Sequence, residues 1–216
     1  MIAKFDFKEN GVDLEKLPEL LKSRSMELDL NTKEIERKYL IDRGLFSFMN
    51  MSDKYHMIEF RFIRQGYLSI DPEIRIRYDY SPNIDKTNYY LYYKSVGTLS
   101  RNEYEVEIGK NDFDYLYSLL LQDIHNPGTE LIYKRYYNYA GAGICNSKGT
   151  NIEFEMSDID CGRLYYMEIE FPNEADAVNF EIPLEFRKFI ISDVTEIDYY
   201  KMKNYWKTTR IGIPIL

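Results

Sequence analysis

Over most of the stretch from Lys33 to Phe171 polar and apolar residues alternate with a period of two, the spacing of strands with one polar and one apolar face. Eight runs carry this pattern between turn residues: Lys33–Ile41, Ile58–Gly66, Glu73–Tyr80, Asn88–Ser95, Arg101–Ile108, Glu130–Tyr139, Asn151–Ser157 and Arg163–Phe171. Ser81-Pro82-Asn83 and Asn126-Pro127-Gly128 mark turns, and Gly141-Ala142-Gly143 is expected to begin a loop. Helical spacing occurs in four places. Leu14, Leu17, Leu20 and Leu21 predict a helix over Val12–Arg24, with Pro18 as a blemish. Phe113, Leu116, Leu119 and Leu120 predict one over Asp112–Gln122, capped by Asn111 or Asp112. Asp176–Ile191 is expected to be mostly helical with a break at Pro183, and Tyr199–Trp206 to form a last short helix.

Short successive strands without long crossovers imply an antiparallel sheet, and eight can close into a barrel that holds side chains or one small ligand. The expected fold is therefore mainly β within an α+β frame: an eight-stranded closed antiparallel β-barrel with flanking helices. The barrel domain is expected over 31–208, preceded by a helical extension over 1–30 and followed by a tail over 209–216.

Strand parity then sorts the charged residues. Glu34, Glu36 and Lys38 share a face, as do Glu73, Arg75, Arg77 and Asp79, and again Arg101, Glu103, Glu105 and Glu107. Glu153 with Glu155, and Glu168 with Glu170, face away from Ile152, Phe154, Met156, Met167, Ile169 and Phe171. Lys94 shares its face with Tyr90 and Tyr92. A solvated sheet face would account for any one strand. It would intersperse the signs, however, because like charges set opposite one another destabilise a sheet. Here Arg75, Arg77 and Lys94 come from neighbouring strands while the late acids crowd another pair. Paired carboxylates suit a hard divalent cation, and clustered Arg and Lys suit phosphate. Both in one barrel imply a metal–polyphosphate ligand, and the apolar faces must then pack outward, under the helices.

Composition narrows the classes further. The chain has 216 residues, 44% of them hydrophobic and 30% charged, enough for one domain with a core. Its 21 tyrosines suit half-buried strands. A net charge of -8 argues against nucleic-acid or anionic-membrane partners, which require a basic surface. Cys145 and Cys161 fit no zinc spacing and make a poor disulfide framework, so a reducing cytoplasm is the expectation. Met1–Asn10 has no apolar signal core, and no apolar run approaches the ~20 residues of a membrane span. His56 and His125 are isolated, and Cys145 has no partner residues for nucleophilic catalysis.

The ordered series of motifs resembles the CYTH superfamily, also called triphosphate tunnel metalloenzymes. Glu34-Ile35-Glu36-Arg37-Lys38 stands as its ExExK signature, and Arg64-Gln65-Gly66-Tyr67-Leu68 looks like its second-strand motif. Arg75-Ile76-Arg77 matches its RxR pair, Lys94 its lysine, and Ser100-Arg101-Asn102-Glu103-Tyr104-Glu105 its SRxExE stretch. Glu153-Phe154-Glu155 and Glu168-Ile169-Glu170 fit its two late acidic pairs, and Asp193-Val194-Thr195 with Tyr200 its closing segment. The resemblance spans most of Thr32 to Asn204. It implies a tunnel in which Lys38, Arg75, Arg77, Lys94, Arg101 and Arg135 grip phosphates, with Lys38, Lys94 and Arg135 as catalytic residues. It also implies that Glu34, Glu36, Glu153, Glu155, Glu168 and Glu170 hold Mg²⁺ or Mn²⁺. Two positions depart from the pattern. Glu155 stands where Asp is usual, and the sixth-strand KxR reads Tyr133-Lys134-Arg135, with Arg135 on the arginine and Tyr133 on the lysine.

The expected activity is a metal-dependent triphosphatase that cleaves inorganic tripolyphosphate, a small-molecule triphosphate. The alternatives are a class IV-type adenylyl cyclase, which needs a base pocket; a thiamine triphosphatase, which needs an aromatic cradle; and a noncatalytic polyphosphate- or nucleotide-binding module.

Overall fold

The computed structural model describes residues 33–122 and 130–211, together with Lys16, Leu17 and Glu19. Apart from those three residues, the helix expected over Val12–Arg24 lies outside the described residues, as do His125, the Asn126-Pro127-Gly128 turn and the end of the tail.

The described strands are β1 Lys33–Ile41, β2 Tyr55–Ser69, β3 Glu73–Ser81, β4 Lys86–Lys94, β5 Ser100–Ile108, β6 Ile132–Cys145, β7 Asn151–Ile159, β8 Leu164–Glu170 and β9 Ile190–Asp193. They pair in the order β5-β4-β3-β2-β6-β7-β8-β1-β9, and an additional β5–β1 pairing closes the first eight into an antiparallel barrel. The closure is short: Lys33, Glu34 and Ile35 pair with Asn102, Arg101 and Ser100. Beyond it β1 diverges from β5, and β9 takes the vacated edge opposite Tyr39, Leu40 and Ile41. Between the two, Glu36 N–H donates to the Leu99 carbonyl at 3.1 Å and Val194 N–H donates to the Lys38 carbonyl at 2.9 Å.

Alternation turns the charged residues inward and the apolar ones outward, where helices cover them. Under α1 (Gly44–Met51), α3 (Glu174–Asn179) and a 3-10 turn over Leu184–Phe189 lie Ile35, Tyr39, Phe154, Met156, Met167 and Ile169. Under α2 (Lys110–Gln122), Ile74, Ile76, Leu91 and Ile108 meet Phe113, Leu116 and Leu120; Leu17 joins this cluster. A third cluster caps one end of the barrel. Tyr67, Ile132, Ile159 and Tyr166 pack there against Val194 and against Met202 and Trp206 of α4 (Met202–Trp206).

Trp206, the sole tryptophan, is fully buried in that cap. Gly66 of β2 admits it: a Cβ there would come within 3.1 Å of the indole and 2.7 Å of Leu131. Trp206→Ala is expected to destabilise the fold by ~3–5 kcal/mol through lost burial and the cavity left behind. Urea unfolding followed by circular dichroism measures this, and an unchanged midpoint would show that the cap contributes nothing.

Several elements differ from expectation. The Gly141-Ala142-Gly143 loop is part of β6, which runs on because β2 begins early, at Tyr55, and pairs Tyr55 with Gly141 and His56 with Ala140. Gly141 permits this close approach, since a Cβ would lie 3.1 Å from both the Tyr55 and Phe154 rings. Asp176–Ile191 is not mostly helical. α3 starts earlier, with the Asn173 side chain accepting from Asp176 N–H at 2.8 Å, and is only six residues long. The chain then has to reach the open edge of β1, where Ile190–Asp193 is a strand. α1 has no counterpart in the sequence reading. It begins after an Asp42 turn whose carboxylate accepts from Gly44 N–H at 2.7 Å, and it buries Leu45 and Met49, one turn apart. No helix among the described residues is long and apolar enough to cross a membrane.

Candidate active site

A polar cavity of about 270 Å³ fills the barrel interior. Its carboxylates are Glu34 and Glu36 of β1, Glu73 of β3, Glu103 and Glu105 of β5, Glu155 of β7, and Glu168 and Glu170 of β8. Its cations are Lys38, Arg61, Arg75, Arg77, Lys94, Arg101 and Lys134 from the strands, and Lys201 just before α4. The two sets are equal in number, so the fully ionised wall carries no net charge. Fold stability does not explain sixteen ionisable groups in a barrel. Buried ion pairs roughly break even against apolar packing. The lining is therefore matched to a ligand.

The signs are graded around the wall. On β2 to β5 five cations, Arg61, Arg75, Arg77, Lys94 and Arg101, outnumber three carboxylates, Glu73, Glu103 and Glu105, and form a basic sector. Lys94 Nζ sits 2.9 Å from Glu34 and 2.8 Å from Glu103, and Arg101 reaches Glu34 at 2.7 Å and Glu36 at 3.0 Å. Arg75 lies over the Tyr92 ring at 4.2 Å and 3.4 Å from Glu103. Arg77 and Arg61 both reach the Asp79 carboxylate at 2.9 Å.

On β7, β8 and β1 the acids face one another. Glu36 stands opposite Glu170, and Glu155 opposite Glu168. Lys38, opposite Glu168, is the cation of this sector and binds it at 2.7 Å. Burial and the neighbouring Glu34 and Glu168 push the Glu36 carboxyl up to about 7. Burial with Glu170 and Glu168 pushes Glu155 to about 8, and burial with Glu34 and Glu103 pushes Glu170 to about 7. Burial opposes ionisation of Glu168 too, but Lys38 and Lys134 outweigh it and hold that carboxyl at about 2. Lys134 is driven the other way: burial, and then Lys38, Arg75 and Arg77, bring its amine down to about 7 against the pull of Glu168.

Of the residues singled out in the sequence, Glu34, Glu36, Lys38, Arg75, Arg77, Lys94, Arg101, Glu155, Glu168 and Glu170 come together in the cavity. Glu153 keeps their parity but lies at the exposed start of β7, where its carboxylate accepts from Asn138 Nδ2 at 2.5 Å. Arg135 is not in the cavity. On β6 the inward positions are Lys134 and Tyr136, and Arg135 points outward and pairs with Asp158. The KxR reading is thus one residue out of step: Lys134 takes the lysine place and Tyr136 the arginine place. The cavity also contains Arg61, Tyr67, Tyr136, Ser157 and Thr195, which sequence chemistry alone did not assign. Arg61 shares the parity of Tyr67 along β2.

Oxygen-only donors on a wall of opposed like charges fit a hard divalent cation, which relieves the repulsion and raises no need for sulfur or imidazole. Among the described residues no three such donors already converge as a closed cage.

The sequence is 30% identical over 173 residues to an inorganic triphosphatase of Nitrosomonas europaea, covering 79% of this chain and 94% of that protein. No family model matches the sequence. Among solved structures, an inorganic triphosphatase aligns at 25% identity and a TM-score of 0.43, over 84% of this chain and 97% of the other. The Mimivirus capping enzyme triphosphatase aligns at 11% identity and a TM-score of 0.37, over 76% and 90%. At that identity and coverage, the chain belongs to the family of the Nitrosomonas europaea inorganic triphosphatase.

Proposed function

We propose that this chain is a triphosphate tunnel metalloenzyme of the CYTH type that hydrolyses inorganic tripolyphosphate to pyrophosphate and phosphate with Mg²⁺ or Mn²⁺. The carrying observation is the balanced cavity wall. A triphosphate brings several negative charges into a space whose formal charge is already zero. Cations bound on the acidic sector would offset that charge. The volume favours the inorganic anion over a nucleotide, because about 270 Å³ lies just below the roughly 300–1,000 Å³ of pockets for drug-sized ligands.

In this reading Lys38, Arg75, Arg77, Lys94 and Arg101 exchange carboxylate partners for phosphate oxygens, the arginines by their two-pronged fork. Glu34, Glu36, Glu155, Glu168 and Glu170 hold the metal directly or through water, with Glu153 at the rim. The metal, when bound, neutralises phosphoryl oxygens and lowers the pKa of a bound water. Lys134, neutral in part near pH 7, takes the proton of the attacking water as oxygen adds to the terminal phosphorus. The bridging P–O bond then breaks and pyrophosphate leaves. Catalysis is otherwise positioning and electrostatics.

A phosphate-release assay over tripolyphosphate, nucleoside triphosphates and thiamine triphosphate, with products identified, tests the reading. Tripolyphosphate is expected to be the best substrate, with turnover abolished by EDTA and restored by Mg²⁺ or Mn²⁺. Cyclic AMP from ATP, or release that is indifferent to EDTA, would overturn it.

A further inference from the structure

We propose that Arg61 supplies the phosphate-gripping guanidinium that β6 lacks, delivering it from the neighbouring strand β2 onto the face of Tyr136; this rests on the triphosphatase reading above. The sixth strand turns Lys134 and Tyr136 into the cavity, and its arginine, Arg135, points away from it and pairs with Asp158. Arg61 is the residue paired with Tyr136 across β2 and β6, and both side chains line the cavity. The guanidinium carbon lies 4.2 Å from the centre of the Tyr136 ring. A planar cation stacked on an aromatic face keeps its edge free for an anion while its orientation is fixed. Arg61 thus brings a guanidinium to the patch of wall that Tyr136 occupies on the adjacent strand.

A purely structural ion pair is the competing explanation, because Arg61 Nη1 reaches Asp79 at 2.9 Å. Asp79, however, is already held by Arg77 Nη2 at 2.9 Å, so two cavity-lining guanidiniums share one buried carboxylate. Two other acids lie near Arg61: Glu155, whose carboxyl Arg61 pulls down against burial, and Glu59, 3.3 Å from Nε, whose side chain is 42% exposed. A pair so open to water is worth little. Arg61 therefore has charge to offer an anion, and Asp79 keeps a partner when Arg61 is removed. On the acidic side Tyr136 faces Glu155, so a phosphate gripped at Arg61 would lie next to the acidic sector.

The test is steady-state hydrolysis of tripolyphosphate with Mg²⁺ by wild type, Arg61→Met, Arg61→Lys, and Arg61→Met combined with Tyr136→Arg, each with its melting temperature. Loss of a charge-assisted phosphate contact is expected to raise KM and lower kcat/KM roughly ten- to hundredfold in Arg61→Met. Returning the guanidinium from β6 by adding Tyr136→Arg is expected to recover most of that loss. Arg61→Lys, which keeps the charge without the fork, is expected to fall between wild type and Arg61→Met, and it decides the matter if the double variant does not fold. Unchanged KM in Arg61→Met, or a loss that follows the melting temperature and is not recovered by Tyr136→Arg or Arg61→Lys, overturns the assignment. If wild type itself neither binds nor cleaves tripolyphosphate, the triphosphatase reading fails first and this inference with it. Normal wild-type turnover beside an unaffected Arg61→Met defeats this inference alone.

Discussion

Replacing Lys134 by methionine is expected to lower kcat for tripolyphosphate roughly a thousandfold, within the range that one positioned acid–base group contributes. The substitution keeps the length and bulk of the stem in a buried inward position and removes only the amine. Burial and three neighbouring cations hold that amine at about 7 in the free protein, so near neutrality it exists in part as a base. The pH dependence of kcat/KM reports the free enzyme. In wild type it should rise through about 7 as the amine deprotonates, and in Lys134→Met that limb should disappear. A surviving limb would remove Lys134 from proton transfer and leave it as a phosphate contact only. The same variant has a stability signature. A lysine whose folded pKa is depressed binds fewer protons in the folded state than in the unfolded one, between about 7 and its ordinary value near 10.5. Its burial therefore costs stability below about pH 7, and that cost fades as pH rises toward 10.5. Lys134→Met should accordingly raise the melting temperature more at pH 6 than at pH 10.

Lys134 also shows where sequence reading reached its limit. The barrel and most of its interior were legible because β1, β3, β7 and β8 alternate charged with apolar side chains, so parity alone fixed which residues face in. The helices were legible where an apolar stripe recurs, as in α2, and illegible where the element is short, as in α1. β6 offers no such contrast. Its Tyr133-Lys134-Arg135-Tyr136-Tyr137 run has amphipathic side chains at every position, each able to face water or a packed surface. Only the neighbours decide, since Ile132 must enter the apolar cap and Tyr137 must meet Phe46 and Phe60 outside. β2 hides Arg61 for a related reason: its inward companions Ile63, Gln65 and Tyr67 do not read as a charged face. β9 follows from the divergence of β1 from β5, which no local pattern encodes.

The acidic sector should behave as a site whose stability has been exchanged for function. Glu170→Gln removes one of two carboxylates set opposite each other on β8 and β1 and keeps the side chain's size. Without metal, this variant is expected to be more stable than wild type by up to ~1 kcal/mol, the scale of an opposed pair in a sheet. With Mg²⁺ it is expected to be roughly a hundredfold or more less active, because a metal contact is lost at the phosphoryl group. The pH dependence has a definite sign. Glu36, Glu155 and Glu170 have folded pKa values of about 7, 8 and 7, above their ordinary value of 4.5, so the folded state binds more protons than the unfolded state between those limits. Metal-free stability from these groups is greatest at low pH and is lost as pH rises from 4.5 through about 8. A divalent cation competes with those protons. Its stabilisation of the folded protein should therefore grow from pH 5.5 to pH 8.5, and should grow less in Glu170→Gln. Thermal melts with and without Mg²⁺ across that range measure both effects. A metal response that is flat with pH in wild type, or a Glu170→Gln variant that is less stable than wild type without metal, would show that these carboxylates are neither strained against one another nor waiting for a cation.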